Sequence, residues 1–148
     1  MTTPAGILTA LKTLLEDSSD LSYVKDTEIF LGLREAYNVF PCIVIEKTRS
    51  DEQRDDVNGK AKIFMRVVVF GINRITDVDQ QLVGSGGLKG TADMENDIKK
   101  AISADKTLGG TVIDINFGAS VDNTEGWPTR GIGVEIEIEF RQTETTRT

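Results

Sequence analysis

Ile132-Gly133-Val134-Glu135-Ile136-Glu137-Ile138-Glu139-Phe140-Arg141 decides the fold. Alternate positions read Ile, Val, Ile, Ile, Phe on one side and Gly, Glu, Glu, Glu, Arg on the other. Alternation of period two kept over this length describes a β-strand with one buried face and one wet face. At about 3.3 Å per residue it spans roughly 30 Å, well beyond the usual strand. A sheet built around it carries Glu135, Glu137 and Glu139 in a row, about 6–7 Å apart.

The preceding chain supplies partners for that strand. Ala61 to Ile72 reads as a second long strand, alternating early and then apolar on both faces through Val67-Val68-Val69-Phe70. That change predicts a central strand covered on both sides where it passes under helices. Phe40-Pro41-Cys42-Ile43-Val44-Ile45-Glu46 reads as a strand with proline at its entrance, where no ladder donor is needed. A charged stretch from Lys47 to Lys60, ending in the hairpin dipeptide Asn58-Gly59, joins the two. Short strands are expected at Tyr23-Val24-Lys25 and Glu28-Ile29-Phe30-Leu31, and a further one over Thr111 to Phe117 after the turn Leu108-Gly109-Gly110. Two loops are expected, Ile75 to Gly90 and Gly118 to Gly131.

Two helices complete the pattern. Thr3 is a good N-cap and Pro4 is tolerated in the first turn. Ile7, Leu8, Leu11, Leu14 and Leu15 then form one apolar stripe, which ends near Glu16 before Asp17-Ser18-Ser19-Asp20. Thr91 is expected to cap the second helix, with Met94, Ile98, Ala101 and Ile102 buried. Paired strands with helices interposed, and no regular βαβ alternation, predict an α+β fold: an antiparallel or mixed β-sheet with a long hairpin, packed against two α-helices.

At 148 residues, with 39% apolar and 28% charged residues, the chain fits one globular domain over 1–148, with 143–148 a loose tail. No apolar run approaches the roughly 20 residues that cross a bilayer, so no membrane partner is expected. Met1-Thr2-Thr3-Pro4 lacks the basic start and apolar core of a signal peptide. Cys42 is the only cysteine, so no intrachain disulfide forms and a reducing compartment is expected. With 24 acidic and 17 basic residues the net charge is −7, which disfavours gripping nucleic acid through phosphates.

Chemistry is sparse. The chain has no histidine, which removes histidine-activated nucleophiles, histidine metal sites and the commonest general base. Cys42 lies in an apolar strand with nothing to activate it and reads as a structural thiol. Gly84-Ser85-Gly86-Gly87-Leu88-Lys89-Gly90-Thr91 fails the phosphate-loop pattern, because Gly90 separates Lys89 from Thr91. It reads as a flexible loop, or as a segment that orders at an interface. Asp51, Glu52, Asp55 and Asp56 lack calcium-loop spacing and interleave with Arg49, Arg54 and Lys60. They describe a salt-bridged hairpin tip, or an arm that pairs with a neighbouring subunit. Trp127, beside Pro128, either lids the core or anchors an interface. The three glutamates are a plain solvent face, or a repulsive lining past which DNA moves without sticking. No catalytic, cofactor-binding or metal-binding residue is assigned, no cofactor is expected, and an enzyme is disfavoured.

The order of these elements resembles the tail terminator, or tail-completion, proteins of long-tailed bacteriophages. The resemblance rests on the helix with Leu11, Leu14 and Leu15, then Phe40 to Ile45, the strand around Met65 to Phe70, the helix around Ile98 to Ile102, Leu108-Gly109-Gly110, and Val134 to Arg141. It covers nearly the whole chain. It implies a structural virion protein that forms a homohexameric ring on the head-proximal end of the tail, after assembly in the host bacterial cytoplasm. Its implied partners are further copies of itself, the major tail tube protein, the head-side connector or head-completion protein, and DNA passing through without specific binding. Glu135, Glu137 and Glu139 are the candidate channel lining. Arg49, Arg54, Asp55, Asp56, Lys89, Trp127 and Arg130 are the candidate subunit or partner interface. Another head–tail joining or tube protein is the neighbouring reading. An acidic cytosolic binding protein or DNA mimic is the reading from a different class.

Overall fold

The computed structural model describes residues 2–55, 60–75, 77–84, 86–125 and 128–143, with side chains at 54, 55, 60 and 143 outside that description. Its elements run α1 (Pro4–Asp17), β1 (Ile29–Leu31), β2 (Cys42–Asp55), β3 (Lys60–Arg74), α2 (Val78–Val83), α3 (Thr91–Ser103), β4 (Asp114–Asn123) and β5 (Thr129–Thr143), with one-turn 3-10 segments at Ser19–Leu21 and Asp26–Glu28. The strands form one five-stranded sheet in the order β1-β2-β3-β5-β4. Every pairing is antiparallel except β1 with β2, so the sheet is mixed and the fold is α+β as expected.

The β5 alternation holds over its whole predicted length. Ile132, Val134, Ile136, Ile138 and Phe140 are buried, while Glu135, Glu137 and Glu139 stand on the opposite face. Buried residues of α1 (Ile7, Leu11, Leu15) and α3 (Ile98, Ala101, Ile102) pack on the first face with Ile43, Ile45, Val67 and Val69. Both long helices therefore cover one side of the sheet. Thr3 caps α1 as expected, its side chain accepting the Gly6 amide at 3.1 Å.

Several expectations need correction. β3 is central, but α1 and α3 cover only its Val67–Val69 side; Val68 and Phe70 face the back of the sheet and are half-buried. The charged stretch after Lys47 is not loop: β2 continues through it to Asp55, which pairs with Lys60, and residues 56–59, including Asn58-Gly59, lie outside the described residues. From Lys47 to Gln53 this strand is exposed on both faces. A bulge at Thr48, between Lys47 and Arg49, shifts its register. Tyr23-Val24-Lys25 is a turn, and α2 interrupts the expected loop from Ile75. Gly90, not Thr91, is the N-cap of α3; Thr91 is buried and donates to Asp122 Oδ1 at 3.3 Å. β4 starts three residues late but continues through a bulge after Phe117 to Asn123, which shortens the expected Gly118–Gly131 loop. Thr143, placed in the loose tail by the sequence, is paired with Lys60, and 144–148 lie outside the described residues.

The back of the sheet is divided. At the β1–β2 end the chain after Gly32 folds over it: the Leu33 amide donates to Glu46 Oε2 at 2.8 Å, the Arg34 amide donates to Tyr37 Oη at 2.9 Å, and the Tyr37 ring packs tilted against Phe30. Phe30 is level with Val44 on this face, so the fold-over accounts for the full burial of Val44 and Cys42. Among the described residues no helix covers the rest of the back face.

Candidate functional site

Register brings the three glutamates together and gives them partners. Arg66 on β3 is level with Glu137, and Phe64 and Val68 with Glu139 and Glu135. The Arg66 guanidinium donates to Glu135 Oε1 at 3.2 Å. Its buried Nε lies 3.6 Å from Glu137 Oε2, an ionic contact too long for a hydrogen bond. Lys62 Nζ lies 3.0 Å from Glu139. The row is therefore a laced face rather than a bare one, and Asp114 on β4, level with Glu139, adds a further carboxylate. Such partly exposed pairs contribute little to stability, about 0–1 kcal/mol each. Their effect is on the sign and spacing of surface charge.

The candidate interface residues that are described lie at separate places in the fold. Arg49 is level with Arg66 on the glutamate face and is held by Asp51 Oδ2 at 2.7 Å. Arg54 and Asp55 end β2, paired with Ala61 and Lys60, and only their backbone is described. Asp56 and Trp127 lie outside the described residues. Lys89 lies over the Tyr23 ring and 3.7 Å from Asp97, the carboxylate that also accepts from Tyr23 Oη at 2.9 Å. Burial first, and then the Asp97 hydrogen bond, push the Tyr23 phenol well above its ordinary range. The Arg130 side chain is 15% exposed and reaches Asp122 at 3.4 Å, tying β5 to β4. Lys89 and Arg130 thus each have a carboxylate neighbour within the chain.

The glycine loop has a steric explanation. A Cβ at Gly90 would collide with the Leu82 carbonyl and the Gly84 amide, so two stretches of backbone cross at the neck of the loop. Asn73, buried at the end of β3, donates through Nδ2 to the Gln81 and Lys89 carbonyls at 3.0 and 3.1 Å. Gln81, also buried, donates to the Ile75 and Pro128 carbonyls at 2.7 and 2.8 Å. These amides pin α2 to the end of the sheet.

Two features escaped the sequence reading. The first is α2 itself, whose outer side exposes Val78, Leu82 and Val83, with Leu88 exposed beyond it. Asp77 caps it, accepting the Asp79 and Gln80 amides, and an Asp before Val78-x-x-x-Leu82 was a readable signal. The second is an open groove of about 620 Å³ on the back face, between the folded-over chain and the β3–β5 end. Phe70 and Ile72 lie among its lining, with Leu33, Tyr37 and Pro128. Nothing local in the sequence marks it, because it joins residues distant along the chain.

Strand edges are the remaining surface. β1 pairs only with Ile43–Ile45, so the outer edge of β2 beyond Ile45 pairs with no described strand, and neither does the outer edge of β4. Among the described residues no three potential metal ligands cluster, and no helix is long and apolar enough to cross a membrane.

No protein-family model matches the sequence, and no curated protein matches it. Among solved structures, a chain in the virion of a native gene transfer agent (GTA) particle is similar in fold, with a TM-score of 0.56 and 11% sequence identity. The match covers 93% of this chain and 97% of that one.

Proposed function

We propose that this chain is a structural protein of a phage-like particle and, within it, the ring-forming terminator of the tail tube. The observation that carries the reading is the fold shared, nearly end to end, with a chain of a gene transfer agent virion. The surfaces are consistent with it. A sheet with one helical layer, an unpaired β4 edge and a β2 arm exposed on both faces leaves backbone donors and acceptors for neighbouring copies. Contacts between two different surfaces of identical copies close into a ring when the rotation permits, and six copies would complete it. The ring would cap the tube, stop its growth and offer the head-side connector a platform. The glutamate face would line the channel, its row of carboxylates turned toward passing phosphate.

Negative-stain electron microscopy of the purified protein at high concentration, alone and with tail tubes, tests this. Six-fold rings with an open centre are the expected result. Long tubes would make the chain a tube subunit. Monomers that neither form rings nor bind tube ends would refute the assembly role and return the acidic binding protein to first place.

A further inference from the structure

We infer that the outer side of α2 of one copy docks into the back-face groove of the next, so that the ridge and groove of a single chain form the contact between copies. This rests on the assembly reading above and names the surfaces that meet. The ridge is apolar where surface helices are normally polar: Val78 and Val83 are 60% and 64% exposed, and Leu82 is exposed beside them. Its N-terminal end carries the exposed carboxylates of Asp77 and Asp79. Among the described residues neither has a cationic partner.

The groove is the complement in polarity and charge. Phe70 and Ile72 lie among its lining, and the exposed Leu33 and half-buried Tyr37 come from the folded-over chain. Arg34 and Arg74 also line it, both exposed and both without a carboxylate partner among the described residues. Arg34 is held in place: Nη1 donates to the Leu31 and Gly32 carbonyls, and the guanidinium lies over the Phe30 ring. On a chain of net charge −7, two unpaired arginines beside an apolar recess fit an acidic, apolar segment. Asp77-Val78-Asp79 followed by Leu82-Val83 is such a segment. Glu35 is the one carboxylate in the lining and stands against the fit.

Ridge and groove are different surfaces of the chain. The contact is therefore heterologous, and repetition gives a ring or a filament. Pro128 lies between them, accepting from Gln81 of α2 and lining the groove. The position of α2 thus follows the groove wall.

A photo-cross-linking residue at Val83 in the full-length chain tests this, using mixed isotope-labelled and unlabelled protein to identify links between copies. Covalent trapping registers weak encounters, so it reads the contact whether or not rings persist. Links from 83 of one copy to residues 33–37 or 70–74 of another are expected. Leu33→Asp with Arg74→Glu should abolish them while the circular dichroism spectrum and Tm stay near wild type. Links only to other surfaces, or none, would overturn the inference. Six-fold rings without the 83-to-groove link would leave the assembly reading standing and remove this contact; the link with neither rings nor binding to tube ends would do the reverse.

Discussion

Two glycines set how closely elements approach. At Gly71 an added Cβ would lie 2.9 Å from Met94 Cε and 3.2 Å from Ile98 Cδ1, so α3 rests directly on β3 backbone. Gly71→Ala should destabilise by about 1–3 kcal/mol, since the methionine end yields only in part. Gly90→Ala should cost more, because the obstacles there are backbone atoms rather than a flexible tip. Urea denaturation of both variants gives the ranking, and equal values would refute it. Cys42 yields a pH prediction. Burial, with the Glu28 carboxylate second, pushes its thiol up to about 12, against about 8.5 in an unfolded chain. Between those values the unfolded state holds fewer protons, so stability falls as pH rises, by up to about 1.4 kcal/mol per unit. Cys42→Ala should flatten that part of the alkaline profile. An unchanged slope would assign the loss to other groups, such as Tyr23, whose phenol is raised as well.

At the scale of elements, α2 depends on two buried amides. Gln81→Ala leaves the Ile75 and Pro128 carbonyls without their donor, an expected loss of about 1–3 kcal/mol. Amide exchange at 78–83 should accelerate well before that of α3; uniform acceleration would mean that α2 does not open separately. The same elements show what was legible beforehand. α1, α3 and β5 could be read because each buries one side, which writes a period of 3.6 or 2 into the chain. The far half of β2 writes none, since Lys47 to Gln53 is exposed on both faces, and its charges imitate a loop. α2 is too short to show more than its cap and one i, i+4 pair, Val78 and Leu82. β4 was cut short because the bulge after Phe117 breaks the alternation. The glutamate row was legible for the same reason as β5. Its cations were not, because Arg66 and Lys62 reach it only through register across the sheet.

At the scale of the molecule, the glutamate row is tested by removing charge without reversing it. Changing Glu135, Glu137 and Glu139 together to Gln keeps size and hydrogen bonding, whereas lysines would crowd Arg66 and Lys62. Rings should still assemble and DNA ejection should slow; ejection at the wild-type rate would dismiss the lining role. The bulge at Thr48 bears on the same assembly from outside the core. It inserts one residue opposite an unbroken β3, so the pairings of Arg49 to Asp55 would survive its deletion with their faces unchanged. A bulge bends its strand and tightens the local twist, and this one lies just past the end of β1's cover. Thr48 is thus an elbow. It sets where the forearm of the hairpin points, and loss of that single residue would re-aim it while hardly disturbing the melting temperature. The angle between neighbouring copies, and with it the bore of any ring they close, would then be tuned by strand length rather than by side-chain chemistry.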